Sequence, residues 1–488
     1  MRRAPDFLRW ISIALLLTAV GLIFYELVRF SRTRAHLPDR LTVAEVPLGG
    51  LDQGDALERL LRAYSAPVEL YYGDQLILLN PSSVGFRLDS EAMLAAAELA
   101  RTGGEFWGSF WDFLWSRPGE AQSIPVRSEL SSAQLEAVLR DIAARYDEPP
   151  QPAEPVPGSP TFSPGKPGRQ MDVARAAALV SDVLSKPANR RVNLPVVSTS
   201  APRPSLPTLE ILLEQNLAVA DFTGVAAIYI MDLRTGEELH FAVFEGRDIP
   251  AEPDIAFTAA SMIKVGILVA FYQAFDDPLD TEAEKLLAEM IELSGNDPAD
   301  WLMERIGQNR GPLTVTDTLE ELGLENTFIA GFFRPSELLR VYRTPGNQRE
   351  DVNTRPDIFN QTSASEMGML LADIYSCAGG GGTLIAVFPE QLRANECRKM
   401  LELLSRNKIG ILIEAGVPEG TRVAHKHGWT NSPLDTVGDA GVVYSPGGDY
   451  VLTLFLWNDP EMIWEPTSKL VGELSRAVYN YFNPPLAP

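Results

Sequence analysis

An α+β architecture is predicted for the larger part of this 488-residue chain. The first observation is a set of strand-like runs at both ends of the region beyond residue 206. Residues 225–233 and 238–244 lie near its start, and 422–429, 438–445 and 450–457 near its end. The second is a helical pattern between them, reaching about residue 402. Strands at both ends with helices between make an antiparallel sheet flanked by helices, with an all-α lobe and a cleft at the seam. The third is what comes before: one long apolar segment, then a smaller α/β module.

The apolar segment runs over residues 10–25 and resumes after Glu26 as Leu27-Val28. Arg2, Arg3 and Arg9 precede it, and Arg29, Arg32 and Arg34 follow. It is longer than a signal-peptide core and no small-x-small cleavage site follows. Residues 1–37 are therefore expected to be a cytoplasmic stub and an uncleaved anchor helix, with the remainder outside the cytoplasm.

Residues 38–200 read as the α/β module. A strand near Val43 meets a Gly49-Gly50 turn and an Asp52 cap, and residues 56–64 show helical spacing. Residues 68–79 read as a hairpin turning at Gly73-Asp74. Asp89 or Ser90 caps the next helix. The phrase Gly85-Phe-Arg-Leu-Asp89 returns as Gly168-Arg-Gln-Met-Asp172, again before an Ala-rich helix, which suggests two related halves. Residues 149–160 hold six prolines. The second phrase lies beyond them, so the boundary is placed at the later proline cluster, residues 195–207. Residues 106–115 carry aromatics at helical spacing. That face is expected to pack on its own domain, bilayer contact being the alternative.

Composition excludes some functions. With 65 acidic and 42 basic residues the net charge is −23, which repels phosphate backbones, so no nucleic-acid partner is expected. The four histidines and two cysteines form no metal-ligand pattern. His425 and His427 alternate on a strand and are assigned to sheet packing. Neither metal nor cofactor is expected. Cys377 and Cys397, with Gly379–Gly382 between them, are expected to pair in an oxidising compartment, two buried thiols being the alternative.

The chemistry is concentrated in Ser261-Met-Ile-Lys264, between a strand-like run and an apolar helix. A serine hydroxyl needs a base beside it. Residues three apart share a helix face, so Lys264 can reach Ser261. Apolar surroundings lower a lysine's pKa and make it a proton acceptor. Two other Ser-x-x-Lys matches lack this setting. Ser163–Lys166 contains Pro and Gly, and Ser405–Lys408 opens a polar stretch.

Two further motifs follow in order, Ser294-Gly-Asn296 and Lys426-His-Gly428. As a set they resemble the Ser-x-x-Lys, Ser-Asp-Asn and Lys-Thr-Gly motifs of class A β-lactamases and penicillin-binding proteins. The resemblance covers about residues 206–488. Residues 38–200 resemble the peptidoglycan-binding domains that precede transpeptidase-type modules in wall proteins. A spacer without a ligand is the alternative there. The first resemblance implies roles. Ser261 attacks the carbonyl, Lys264 takes its proton, and Ser294 relays a proton to the leaving nitrogen. Asn296 binds the substrate amide, and Lys426 places positive charge near Ser294 and the substrate carboxylate. Backbone N–H groups of Ser261 and Trp429 form the oxyanion hole, beside Gly428 and Thr430. β-Lactams and D-alanyl peptidoglycan stems are the implied substrates, bound without a cofactor.

Three departures from the family stand out. Gly295 replaces an aspartate. His427 replaces a hydroxyl residue, whose role would fall to Thr430 or to a charged His427. No Glu-x-x-Leu-Asn phrase supplies a deacylating glutamate. The matching position falls near Phe333, with Glu337 four residues on. A β-lactamase, a D,D-peptidase with slow β-lactam deacylation, and a wall-binding protein with a degenerate site all remain open at this level.

Overall fold

The computed structural model describes residues 6–117 and 119–484; Arg2 and Arg3 lie outside them. Helix α1 spans Asp6–Thr33. Within its apolar stretch, Leu8–Thr33, an 18-residue window reaches a mean hydropathy of 2.3 with none of its residues buried. Twenty-eight residues at about 1.5 Å each give about 42 Å, enough to cross a hydrocarbon core of about 30 Å.

The chain divides into two compact units. The first takes Met1–Pro150 and Pro167–Ser200, the second Gln151–Lys166 and Ala201–Pro488. The proline-rich stretch, assigned from sequence to the first module, thus clusters mainly with the second unit. The reason is packing: Ala153 and Phe162 are buried in a core with Leu209 and Leu213.

In the first unit the hairpin β1 (Val68–Tyr72) and β2 (Gln75–Leu79) pairs antiparallel, and β4 (Arg191–Asn193) joins β1 in parallel. A second ladder pairs β3 (Gly168–Met171) with β5 (Val196–Thr199). Helices α2 (Gln53–Ser65), α3 (Ser90–Thr102), α4 (Phe106–Leu114), α5 (Ser132–Tyr146) and α6 (Val173–Leu184) complete the module. Asp52, Asp89 and Asp172 cap α2, α3 and α6, each accepting a backbone N–H three residues on at 2.8–3.0 Å. In α4, Phe110 packs inward while the tryptophans stay exposed. The expected inward face is therefore only half of that helix.

In the second unit a six-stranded sheet runs β8-β7-β6-β14-β13-β12. Its strands are β6 (Val225–Asp232), β7 (Glu238–Phe244), β8 (Arg247–Ile249), β12 (Val423–Trp429), β13 (Thr436–Val443) and β14 (Tyr450–Trp457). All eight residues of β13 and of β14 are buried, so both sheet faces are covered. Alternation sorts the side chains. Ala227, Tyr229 and Phe455 face the core shared with the helical lobe, while Ile228, Ile230 and Leu454 face α7 (Leu206–Val219) and α15 (Trp464–Phe482).

The lobe holds α8 (Lys264–Ala274), α9 (Thr281–Glu292), α10 (Asn296–Gly307), α11 (Gly311–Glu321), α12 (Ala364–Ala378), α13 (Thr383–Val387) and α14 (Ala394–Leu404). Gly368 lets α12 close on the sheet, because a Cβ there would collide with the Tyr229 ring. Cys377 in α12 and Cys397 in α14 form a disulfide, with Cα atoms 5.8 Å apart. A small ladder, β9 (Phe257–Thr258), β11 (Asn360–Thr362) and β10 (Phe328–Ile329), holds the approach to Ser261 beside the loop that contains Phe333.

Candidate active site

Ser261 lies in a 3-10 turn, Ala260–Ile263, that runs straight into α8. It is half-buried, whereas Lys264 is fully buried. Ala260, just before the serine, has φ +48°, and Ser294, just before α10, has φ +58°. Both are left-handed conformations that L-residues avoid, and such strain is found where a fold must aim a side chain.

Lys264 Nζ lies 2.9 Å from Ser261 Oγ, 2.7 Å from the Ser294 carbonyl oxygen and 2.7 Å from Asn296 Oδ1. Burial, and then the charge of Lys426, push its pKa down to about 6. At neutral pH the amine is therefore mostly uncharged and has two N–H donors and a lone pair. The Ser294 carbonyl and Asn296 Oδ1 can only accept, so they take the two N–H groups. The lone pair is left for the Ser261 hydroxyl, which donates to it. The lowered pKa and the two acceptors together make Ser261 the proton donor; a charged amine would donate to all three oxygens.

Lys426, buried in β12, donates to Ser294 Oγ at 2.9 Å and to the His427 carbonyl at 3.1 Å. Burial pushes its pKa down to about 8. Ser294 Oγ is also 3.5 Å from Lys264 Nζ, so the hydroxyl sits between the two amines. None of these contacts is with a carboxylate.

Gly428 approaches the Ser261 turn so closely that a Cβ would lie 2.8 Å from both the Ala259 carbonyl oxygen and the Ser261 nitrogen. Both are backbone atoms and cannot swing aside. This approach also places the strand end bearing Trp429 beside the turn. Gly428→Ala is expected to displace the Ser261 turn and to slow reaction at its hydroxyl at least about tenfold, a lost backbone donor to a developing oxyanion being worth roughly 10²–10³ in rate in general. Acylation rates measured on folded variant check this; an unchanged rate would mean the backbone is not held there.

Phe333 covers the other side, its ring centroid 4.8 Å from Lys264 Nζ. Buried Asp300 of α10 holds this loop, accepting the backbone N–H groups of Phe333 at 2.8 Å and Arg334 at 2.9 Å. Sequence reasoning overlooked Asp300. The available signal was its place one helical turn after Asn296 in the same helix. Glu337 is exposed.

Three sequence expectations are revised. His427 is not charged: burial, and then Lys426, push its pKa down to about 3, and it stacks on Trp429 at 4.9 Å. Thr430 is not free, because its hydroxyl donates to Asp435 Oδ1 at 2.8 Å and accepts the Asp435 and Thr436 N–H groups. His425 does more than fill space. Burial opposes its charge, but Asp439, 3.0 Å away, and Glu414 push it up to about 9, making a buried ion pair under the strand that carries Lys426. Gly295 also has a local reason, since a Cβ there would press on the Pro298 ring at 3.0 Å. Apart from this site, His240, Glu252 and Asp254 place possible ligand atoms within 4.8 Å of one another. The Asp254 oxygens there already accept from Ser363 and Ser365.

Residues 273–482 match the model described as the Beta-lactamase enzyme family. That segment is a β-lactamase-family domain. The chain is accordingly a serine hydrolase of the β-lactamase-like type. The matched segment begins after Ser261 and Lys264, so their pairing stands on the geometry above. Residues 77–193 match the model described as "Putative peptidoglycan binding domain". No curated protein matches the chain. Similar solved structures include "Structure of PBP-A", at 24% identity over 58% of this chain and 98% of that one, with a TM-score of 0.42. An ancestral (GNCA) class A β-lactamase is 21% identical over 55% of this chain and 98% of its own, with a TM-score of 0.40. A β-lactamase from Desulfarculus baarsii DSM 2075 is 17% identical over 57% and 98%, with a TM-score of 0.42. The β-lactamase-family domain holds Asn296, Ser294 and Lys426 together around Lys264.

Proposed function

We propose that this protein is a membrane-anchored, extracytoplasmic acyl-serine enzyme that acts on D-alanyl peptidoglycan stems and is acylated by β-lactams. The carrying observation is the buried Lys264, whose Nζ lies 2.9 Å from Ser261 Oγ while the Ser294 carbonyl oxygen and Asn296 Oδ1, each at 2.7 Å, can take its N–H groups. In the proposed reaction Ser261 Oγ bonds to the carbonyl carbon as its proton passes to Lys264 Nζ. The C–N bond then breaks. The leaving nitrogen receives a proton through Ser294 Oγ, which lies between Lys264 and Lys426. Lys426, while charged, attracts the substrate carboxylate, and Asn296 Nδ2 is left to donate to the substrate amide carbonyl. The peptidoglycan-binding match supports a location beside the wall.

A persistent acyl-enzyme, and hence a peptidase in preference to a β-lactamase, is favoured by Phe333 on the face of Lys264. Intact-mass analysis of the full chain with penicillin tests this. A lasting adduct is expected; no adduct would leave a binding protein, and rapid drug loss a β-lactamase.

The acylation rate should have two pH limbs. Below about pH 6, Lys264 gains a proton and loses its lone pair, so the rate falls. Above about pH 8, Lys426 loses the charge that attracts a carboxylate, so substrate capture weakens. A profile that stays flat between these limits and beyond them would remove both lysines from these roles.

The anchor makes a separate prediction. The full chain should stay in the membrane fraction through α1, and removal of residues 1–36 should release acylation-competent protein. Secretion of free protein with a new N-terminus near residue 30 would replace the anchor with a cleaved signal.

A further inference from the structure

Helix α4 has two faces of opposite character. Phe106, Phe110 and Phe113 surround Phe30, in the last turns of α1, with ring centroids 5.3–5.5 Å apart. Phe30 and Phe110 are only 5% and 3% exposed. Trp107 and Trp111 share one side of α4, and Trp115, the residue that ends the helix, follows at the same four-residue spacing. They are 64%, 57% and 70% exposed. Three tryptophans in a row left open to water would be a costly arrangement for a surface that nothing covers.

The position of α4 says what covers them. The exposed apolar residues of α1 end at Val28, and the helix is held to α4 immediately afterwards, at Phe30. Arg34 lies over the Phe106 ring at 5.3 Å, and Arg29 over Phe113 at 5.8 Å. The aromatic stripe therefore sits where the apolar stretch gives way to arginine. Tryptophan favours that level of a bilayer, because its body is apolar and its N–H seeks a partner. Arginines there meet lipid phosphates.

We infer that the Trp107–Trp111–Trp115 face of α4 lies in the headgroup layer of the bilayer that α1 crosses, so that the first unit is seated on the membrane and not only tethered to it. This rests on the anchor reading above. A surface helix of this kind adds a second attachment and fixes the orientation of its module.

The described residues contain no free cysteine, which permits single labels. Trp107→Cys, Trp111→Cys and Trp115→Cys are each labelled with an environment-sensitive fluorophore on the full chain. Leu179→Cys, at an exposed position of α6, is the reference. The proteins are placed in phosphatidylcholine–phosphatidylglycerol vesicles and floated on a density gradient. The three α4 labels should be at least about fivefold less accessible to aqueous iodide than the reference, and should be quenched by lipids carrying a nitroxide near the headgroup. Vesicles that float while the α4 labels stay as accessible as the reference would overturn the seating and leave the anchor standing. Protection from iodide without quenching by the nitroxide lipids would mean that protein covers the stripe, which also overturns it. Failure to float would remove the anchor and the seating together.

Discussion

Ser261→Ala will abolish the mass increment that penicillin adds to this protein, and Lys264→Ala will slow its appearance severely. The first follows because Ser261 is the serine at 2.9 Å from Lys264, whose pKa is pushed down to about 6, whereas Ser294 at 2.9 Å faces Lys426, which at about 8 stays mostly charged and donates. The second follows because the hydroxyl keeps its place but loses its proton acceptor, and general-base assistance is worth roughly 10²–10⁴ in rate. Lys264→Ala also leaves the Ser294 carbonyl and Asn296 Oδ1 without a donor, so its stability should be measured alongside. Lys264→Met, which fills the volume without a base, controls for packing. Labelling that survives in folded Ser261→Ala would place the nucleophile elsewhere.

Once formed, the acyl-enzyme will be long-lived, and Glu337→Gln will not lengthen its life. Glu337 is exposed, and the ring of Phe333 lies against Lys264, its centroid 4.8 Å from Nζ. An aromatic ring cannot activate water. Phe333→Glu should shorten the life of the adduct, with a ceiling of roughly 10²–10⁴ set by general-base terms. The same change has a cost in the first step. A carboxylate near Lys264 favours the charged amine, raises its pKa above about 6, and so slows acylation at neutral pH. The decay of the adduct and the rate of its formation should therefore move in opposite senses. Fast turnover in the wild type that persists in Glu337→Gln would show that another group activates the water.

Much of this site was legible because its residues are close in sequence or belong to short motifs. Ser261 and Lys264 are three apart, and helical spacing alone puts them on one face. The antiparallel sheet was visible because its strands are short apolar runs, with β7 and β14 matching their expected residues. The hairpin at Gly73 and the caps Asp89 and Asp172 follow from local turn and capping chemistry. The two cysteines are the only ones in the chain, and they do pair.

What the sequence could not supply depends on groups that meet from distant segments. The charge state of His427 is decided by burial and by Lys426, so a residue that could have replaced a carboxylate-binding hydroxyl is instead neutral and stacked on Trp429. Thr430 spends its hydroxyl on a turn whose closure appears only in three dimensions. The grip of Asp300 on the loop of Phe333 spans more than thirty residues, and the Phe30 contact that divides α4 into two faces spans about eighty. Spacing along the chain determines which side chains share a face. Burial and opposing partners, which set protonation and which face meets solvent, exist only once the chain has folded.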